Sequence, residues 1–340
     1  QPTIFVINNP QILRKVKNKF KKNKVKIISP NNIKKNIKIN SDITVAAISG
    51  IAGLYPTIEM IKKSKKVLIA NKEAIICGWN IIKIIAKKNN TQLVPIDSEL
   101  FSIMKILENQ KKENIKKIYL TASGGPFLNI KQSKLKKIKP KDAIKHPKWK
   151  MGKKISVDSA TLMNKILEVA EAHKFFSIDS NKIEIIIHPE SLVHAIVEFK
   201  NGLYKFIYHE TTMLVPIANA IFDKDLNIEK IINFKRSKNN SFNFQKLNFQ
   251  KVDRKKFPII RLKDKINSYE SSPIIINAAN EILVDQFLKQ KIQYNSIYKH
   301  LLSVLRDRNY KKYAVKKPKS ISQIFQIDQW SRNLTYRKIK

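Results

Sequence analysis

The sequence predicts an α/β chain that opens on a mainly parallel sheet and closes on a small helical domain. Three observations carry this. From Thr3 to Ala122, short β-rich apolar runs alternate with longer helical patterns, as βαβ units do. Several of those runs end in polar clusters: Ser49-Gly50, Asn71-Lys72-Glu73, Asp97-Ser98-Glu99 and Ser123-Gly124-Gly125. Open α/β sheets bind their ligands in that position, beyond the carboxyl ends of the strands. Past Pro273 only helical periodicity remains.

Strands are expected at Thr3–Ile7, Val25–Ile28, Thr44–Ile48, Lys66–Ala70, Gln92–Ile96 and Ile118–Ala122, each rich in β-branched residues. Helices near 9–20, 56–64, 73–88 and 98–108 lie between them. One helix starting near Asp158 is expected within 155–176, and a buried strand at Ile183–Ile187. Residues 223–268 are rich in Asn, Lys and Phe without clear periodicity, and are expected to connect. Helices then follow at Ile274–Gln290, Tyr294–Arg306 and Ser320–Asn333.

The 340 residues include 67 basic and 26 acidic side chains, a net charge of +41, and 43% are hydrophobic. That apolar fraction supports a real core and excludes a disordered polycation. The lysines are scattered from Lys15 to Lys340 among Ile and Asn, three residue types with A/T-rich codons. Codon bias explains them without a nucleic-acid footprint, so no specific nucleic-acid partner is expected. No run of about 18 apolar residues suggests a membrane span, and the first residues carry no secretion signal. The single cysteine, Cys77, excludes internal disulfides. A cytoplasmic, multidomain protein is expected.

Glycine is scarce, at 7 in 340 residues, so the positions that keep it are informative. Ordinary turns account for Gly78 and Gly202. The pair Gly124-Gly125, directly after a strand, points instead to a ligand loop.

Three stretches carry chemistry. Asp97 and Glu99, two apart at a strand end, fall on one side and suit a hard divalent cation; an acidic N-cap for the next helix is the simpler reading of the residues alone. In 155–176, one helical face is apolar, while Thr161, Asn164, Lys165 and Glu168 share the other. That is either an ordinary solvated face or a set of metal and phosphate ligands with Ser159. The segment His146-Pro147-Lys148-Trp149-Lys150-Met151-Gly152, with an exposed-looking Trp149, reads as a structured loop or as a lid that excludes water. His188 and His194 read as satisfied core histidines.

At these stretches the sequence resembles the 1-deoxy-D-xylulose 5-phosphate reductoisomerase family. The matching motifs, in order, are AAISGIAGLYPT, LIANKEAIICG, PIDSE, LTASGGPF, HPKWKMGKKISVDSATLMNK, IIIHPESLVHAIVEF and NAANEI, spanning about 44–285. The resemblance implies an NADPH-binding Rossmann-like parallel-sheet domain (1–96, its first βα units missing). An α+β catalytic domain (97–222), the connecting segment (223–268) and a C-terminal helical bundle (269–340) follow, with the chain paired as a homodimer. It implies a sugar phosphate as substrate, isomerised and reduced with NADPH and a magnesium, manganese or cobalt ion. Asp97, Glu99 and Glu168 would hold the ion. Ser98, Ser123, Ser159, Asn164 and Lys165 would bind the substrate, joined by Glu99 and Glu168. Lys72 and His146 would act on it as catalytic groups beside Glu168. Asn71, Glu73, Met151 and Gly152 would approach the nicotinamide.

The chain departs from the family at four places. It lacks the glycine-rich turn that cradles the cofactor pyrophosphate. The chain is therefore expected to be N-terminally incomplete, and as it stands to bind NADPH poorly. Leu100 stands where a histidine is usual, Ile166 replaces a glycine, and Met213-Leu214-Val215-Pro216 lacks an arginine. The alternatives are a relative that has lost catalysis and a basic nucleic-acid binder; the intact ligand set argues against the first.

Overall fold

The structure, a computed structural model, describes residues 3–7, 9–21, 25–29, 40–223, 226–231 and 247–339. Strands β1 (Ile4–Val6) and β2 (Lys26–Ile28) pair in parallel around helix α1 (Pro10–Lys19). Asn9 caps α1, accepting from the backbone N–H groups of Gln11 and Ile12 at 2.9 and 3.1 Å. Strands β3 (Ser41–Ala46), β4 (Ser64–Ile69) and β5 (Gln92–Pro95) form a second parallel sheet in that order. Helix α2 (Leu54–Ile61) joins β3 to β4, α3 (Lys72–Lys88) joins β4 to β5, and α4 (Ser98–Leu107) follows β5. The expected alternation is therefore present, and its strand ends open onto helix N-termini.

The sixth expected strand lies in a different sheet. β6 (Ile115–Ala122) is the middle of five strands ordered β10-β7-β6-β8-β9. These are β7 (Ile183–Ile187), β8 (Val193–Phe199), β9 (Tyr204–Tyr208) and β10 (Gln250–Lys251). β6 runs parallel to β7 but antiparallel to β8, so this sheet is mixed. Strand-by-strand periodicity carries no information about partners, which is why the two sheets looked continuous in sequence.

Two helices replace the one expected to start near Asp158: α5 (Lys153–Thr161), which begins earlier, and α6 (Met163–Phe176). They part at Leu162, which adopts φ 66° and is buried to 1% exposure. A leucine tolerates this left-handed conformation only because its side chain is anchored in the core. The break redirects the chain so that Ser159 and Asn164 face one cavity from two helices.

Helix α7 (Leu214–Phe222) packs Ala220 against Leu68, Val94 and Ile96 of the parallel sheet. The C-terminal bundle consists of α8 (Ser272–Leu288), α9 (Ser296–Leu305), α10 (Tyr310–Ala314) and α11 (Ile321–Ile339). Of these, α10 was not expected, being a single short turn of helix. α8 is apolar on nearly every face and lies between α9 and α11, where such a helix must be buried. It also packs against α3 and α5, which carries the bundle to the edge of the candidate site. Within the expected connecting segment, residues 224–225 and 232–246 lie outside the described residues. Its described part includes β10 and a buried turn, Pro258–Leu262, so it is more ordered than composition implied.

Gly78 is no turn. It lies inside α3, where a Cβ would meet Leu54 Cδ1 at 2.3 Å, so it lets α2 and α3 pack closely. Gly202, at φ 84° between β8 and β9, is the turn expected. Among the described residues no helix is long and apolar enough to cross a membrane.

Candidate active site

Asp97 follows β5 by two residues and caps α4, its Oδ1 accepting from the Glu99 N–H at 3.3 Å. The acidic pair is thus set by a helix N-terminus, and not by strand alternation as expected. Capping and ligation are compatible: the cap orients Asp97, while Ser98 Oγ donates to Glu99 Oε2 at 2.6 Å and orients Glu99. Glu168, fully buried on α6, completes the group. Ligand oxygens of Asp97, Glu99 and Glu168 all lie within 4.8 Å of one another.

Two ammonium groups neutralise this trio. Lys72 Nζ lies 2.8 Å from Asp97 Oδ2, 3.2 Å from Glu168 Oε1 and 3.0 Å from Asn164 Oδ1. Lys165 Nζ lies 2.7 Å from Glu168 Oε2 and also donates to Glu99 Oε1. Asn164 Nδ2 donates to Glu168 Oε1. Burial opposes the charge on both lysines, but the carboxylates prevail and hold them above the ordinary lysine range. Burial, and then the charge of Glu99, pushes Glu168 up to about 7. Burial also acts to raise Glu99, yet the Lys165 ammonium and several hydrogen bonds bring it down to about 2. Convergent carboxylate oxygens of this kind fit magnesium or manganese, whose double positive charge would replace that of the two lysines.

The loop after β6 supplies a second wall. Gly124 and Gly125 take φ values of 81° and 64°, and a Cβ on Gly125 would lie 3.0 Å from Ser159 O. Their positive φ and this close approach explain the retained glycine pair. Ser123 Oγ accepts from the Gly125 N–H at 3.1 Å and lies 2.9 Å from His146 Nε2. His146 Nδ1 accepts from the backbone N–H groups of Lys148 and Trp149, at 3.1 and 2.9 Å. Nδ1 therefore carries the lone pair, Nε2 carries the hydrogen, and the ring donates to Ser123. Burial, with a lesser effect from the Lys165 charge, lowers His146 to about 4, so the ring is neutral at pH 7.

Trp149 is half-buried, its ring edge-on to His194 at 5.9 Å, as a packed tryptophan in a structured loop would be. His194 in turn stacks on His209 at 4.1 Å. His188 is the core histidine expected, bonded to Asn248 O at 2.9 Å and accepting from the Leu192 N–H at 3.2 Å. His194 is not: it lines the cavity, and its buried Nε2 has no hydrogen-bond partner. Ser191, also on the wall with an unpartnered Oγ, was missed as well. Neither residue sits at a spacing that sets it apart in sequence.

These groups enclose a cavity of about 170 Å³. The carboxylate trio and Ser98 line one side of it, Ser123 and His146 a second, Ser159, Asn164 and Lys165 a third, and Met151 and Met213 are also among the lining residues. Four expected residues stand outside this wall. Lys72 lies behind the carboxylates. Asn71 caps α3 and donates to Gly50 O at 2.9 Å and to Ile48 O, fixing the turn after β3. Glu73 pairs with Lys154 at 3.0 Å. Gly152 is the N-cap of α5, with open space around it. Leu100 and Ile166 are fully buried in the core and neither lines the cavity.

Comparison with known proteins is consistent along the chain. The family model described as 1-deoxy-D-xylulose 5-phosphate reductoisomerase matches residues 1–78. Two models for C-terminal domains of the same family match 93–176 and 210–334. A 1-deoxy-D-xylulose 5-phosphate reductoisomerase of Pelagibacter ubique (strain HTCC1062) is 45% identical over 293 residues, covering 85% of this chain and 74% of that protein. One from Wolbachia sp. subsp. Drosophila simulans (strain wRi) is 42% identical over 303 residues, covering 88% and 76%. Among solved structures, a DOX-P reductoisomerase in complex with NADPH, fosmidomycin and magnesium superposes with a TM-score of 0.87 at 29% identity. It covers 99% of this chain and 86% of its own. The Zymomonas mobilis reductoisomerase in complex with NADPH gives 0.84 with the same identity and coverage.

Proposed function

Because the chain belongs to the 1-deoxy-D-xylulose 5-phosphate reductoisomerase family, we propose that it converts 1-deoxy-D-xylulose 5-phosphate to 2-C-methyl-D-erythritol 4-phosphate with NADPH and a divalent metal ion. The observation that carries this reading is the meeting of Asp97, Glu99 and Glu168 within 4.8 Å, beside a cavity lined by hydroxyl, amide and ammonium donors. Neither a relative without catalysis nor a nucleic-acid binder has any use for that arrangement.

When bound, the ion supplies a Lewis acid for the substrate oxygens, and NADPH supplies the hydride. Asp97, Glu99 and Glu168 would hold the ion. Gly152, where a Cβ would meet nothing within 4 Å, leaves room for the nicotinamide end beside Met151. Ser159, Asn164 and Lys165 offer the donors that bind and orient the phosphate and sugar. Ser123 Oγ already accepts from His146 and Gly125, so its own hydrogen is available to the substrate. His146 fixes that donor as a neutral ring and exchanges no proton near pH 7. Trp149 and His194 cover the cavity and exclude water. Lys72 orients Asp97 and Glu168 from behind.

A homodimer is part of the same reading. β9 is the outer strand of the mixed sheet and exposes Tyr204, Phe206 and Tyr208 at 57%, 47% and 40%. An apolar edge of this kind favours pairing with a second copy. A cytoplasmic location fits a charged sugar phosphate and NADPH, neither of which crosses membranes unaided.

The test is NADPH oxidation with 1-deoxy-D-xylulose 5-phosphate and magnesium, with the product identified. Formation of 2-C-methyl-D-erythritol 4-phosphate supports the reading. A folded protein that binds both Mn²⁺ and NADPH yet forms no product with any divalent ion would reverse it.

A further inference from the structure

Ser159 is flanked by two anchors from the C-terminal bundle. On one side Asp158, 1% exposed, accepts at Oδ1 from Asn280 Nδ2 of α8 at 2.8 Å. On the other, the Tyr294 hydroxyl, just before α9, donates to Ala160 O at 2.6 Å. Asp158 Oδ2 faces Lys154 Nζ at 2.9 Å, one turn earlier on α5. The same ammonium reaches Glu73 Oε1 at 3.0 Å, in the first turn of α3 and beside Lys72. A single lysine thus joins two buried carboxylates on elements that no covalent connection holds together locally.

We propose that Lys154 is a positioning residue, which sets the distance between the helix carrying Ser159 and the turn carrying Asn71, Lys72 and Glu73, while Asn280 holds it in register through Asp158. The inference rests on the reductoisomerase reading for its consequence in turnover. Its structural content stands independently. Lys154 lies in the first turn of the helix that follows the lid segment, and Glu73 in the first turn of the helix that follows β4. In chain order the bridge lies between the open Gly152 and Ser159 on the cavity wall, and so marks the boundary between the two sides of the proposed site. Hydride transfer needs donor and acceptor carbons held in close, aligned contact, so loosening this boundary should lower turnover without removing any group that touches either reactant. The two carboxylates also keep Lys154 charged against the effect of burial, consistent with a permanent bridge. A second consequence concerns the bundle: Asn280 and Tyr294 make it part of the site's frame.

The test has two arms. In the ligand-free protein, backbone hydrogen exchange over 156–160 should accelerate about tenfold or more in Lys154→Met and Asn280→Ala, while β6 exchanges as before. In turnover, Lys154→Met should raise the KM for NADPH about fivefold and lower kcat about tenfold, with the KM for sugar phosphate within about twofold. The kinetic isotope effect from NADPH deuterated at the transferred position should rise as hydride transfer becomes slower. Lys154→Arg, which can span both carboxylates, should restore most of the loss. Unchanged exchange over 156–160 overturns the inference whether or not the protein turns over. Equal effects on both KM values and no change in the isotope effect also overturn it. An inactive wild type with the expected exchange pattern counts against the proposed function and leaves the bridge supported.

Discussion

Lys72 Nζ lies 2.8 Å from Asp97 Oδ2, bringing the first residue of α3 onto the cap of α4. This contact, with that to Glu168, balances charge in a buried cluster that would otherwise hold three carboxylates together. Removing one member of a buried ion pair costs about 3–5 kcal/mol, because the other charge is left uncompensated. Lys72→Met should therefore lower stability by about 3 kcal/mol without divalent ions. Mn²⁺ should recover a large part of it by supplying the missing positive charge. Urea unfolding with and without Mn²⁺ measures both; the same loss in each condition would refute the account.

Glu168 makes ion binding depend on pH. Burial and the Glu99 charge raise it to about 7, so below that pH it is mostly protonated, and the proton competes with the ion. Mn²⁺ affinity should fall as pH drops below 7, approaching about tenfold per pH unit. Above 7 it should level off. Calorimetric titration from pH 5.5 to 8.5 checks this, and a flat profile would contradict it.

Glu171 is fully buried on α6, and neither carboxyl oxygen has a hydrogen-bond partner. Burial pushes it well above the ordinary glutamate range. Its folded pKa exceeds the unfolded value, so its contribution to stability is fully present below about 4.5 and is lost as pH rises toward the raised value. Glu171→Met should thus stabilise the protein by about 1–3 kcal/mol at pH 7, with the gain shrinking toward pH 4.5. Thermal unfolding at both pH values decides it, and a loss of stability at pH 7 would show that Glu171 has a partner role.

His146 acts as a hydrogen-bond donor in this geometry. Lowered to about 4, it contributes no ionisation between pH 5.5 and 8. His146→Ala should reduce kcat/KM by about 10²-fold, as loss of an oriented donor does, while leaving the shape of the pH profile in that range unchanged. Disappearance of a limb near pH 6.5 in the variant would instead make His146 a proton carrier.

The exposed β9 edge gives the oligomer a simple test. The wild type should sediment as a dimer, and Phe206→Glu should shift it to monomer by placing a charge on that edge. A monomeric wild type would remove the homodimer from the reading.

Much of the site was legible because its ligands lie in short contiguous motifs. Asp97-Ser98-Glu99, the glycine pair after Ser123 and the run from Ser159 to Glu168 each have local reasons for their residue types. The break at Leu162 was not legible: the apolar pattern runs through it, and only the depth of the Leu162 side chain in the core stabilises its left-handed backbone. His194 escaped because a buried histidine looks alike in sequence with or without a partner for Nε2. Lys154 was one lysine among many until its two carboxylates were seen.

By itself, then, the sequence determined which residues could bind an ion and a phosphate, the βα alternation, and the family they belong to. Tertiary structure alone decided that β6 leaves the parallel sheet, and that Lys72 and Glu73 serve from behind the cavity wall. It also decided that a C-terminal bundle holds the helix bearing Ser159. The physical reason is range. Capping, turn chemistry and periodicity act over a few residues and leave their mark in the chain order. Strand partners, buried charge balance and the Asp158–Asn280 contact join residues far apart in sequence, and arise only when the elements pack.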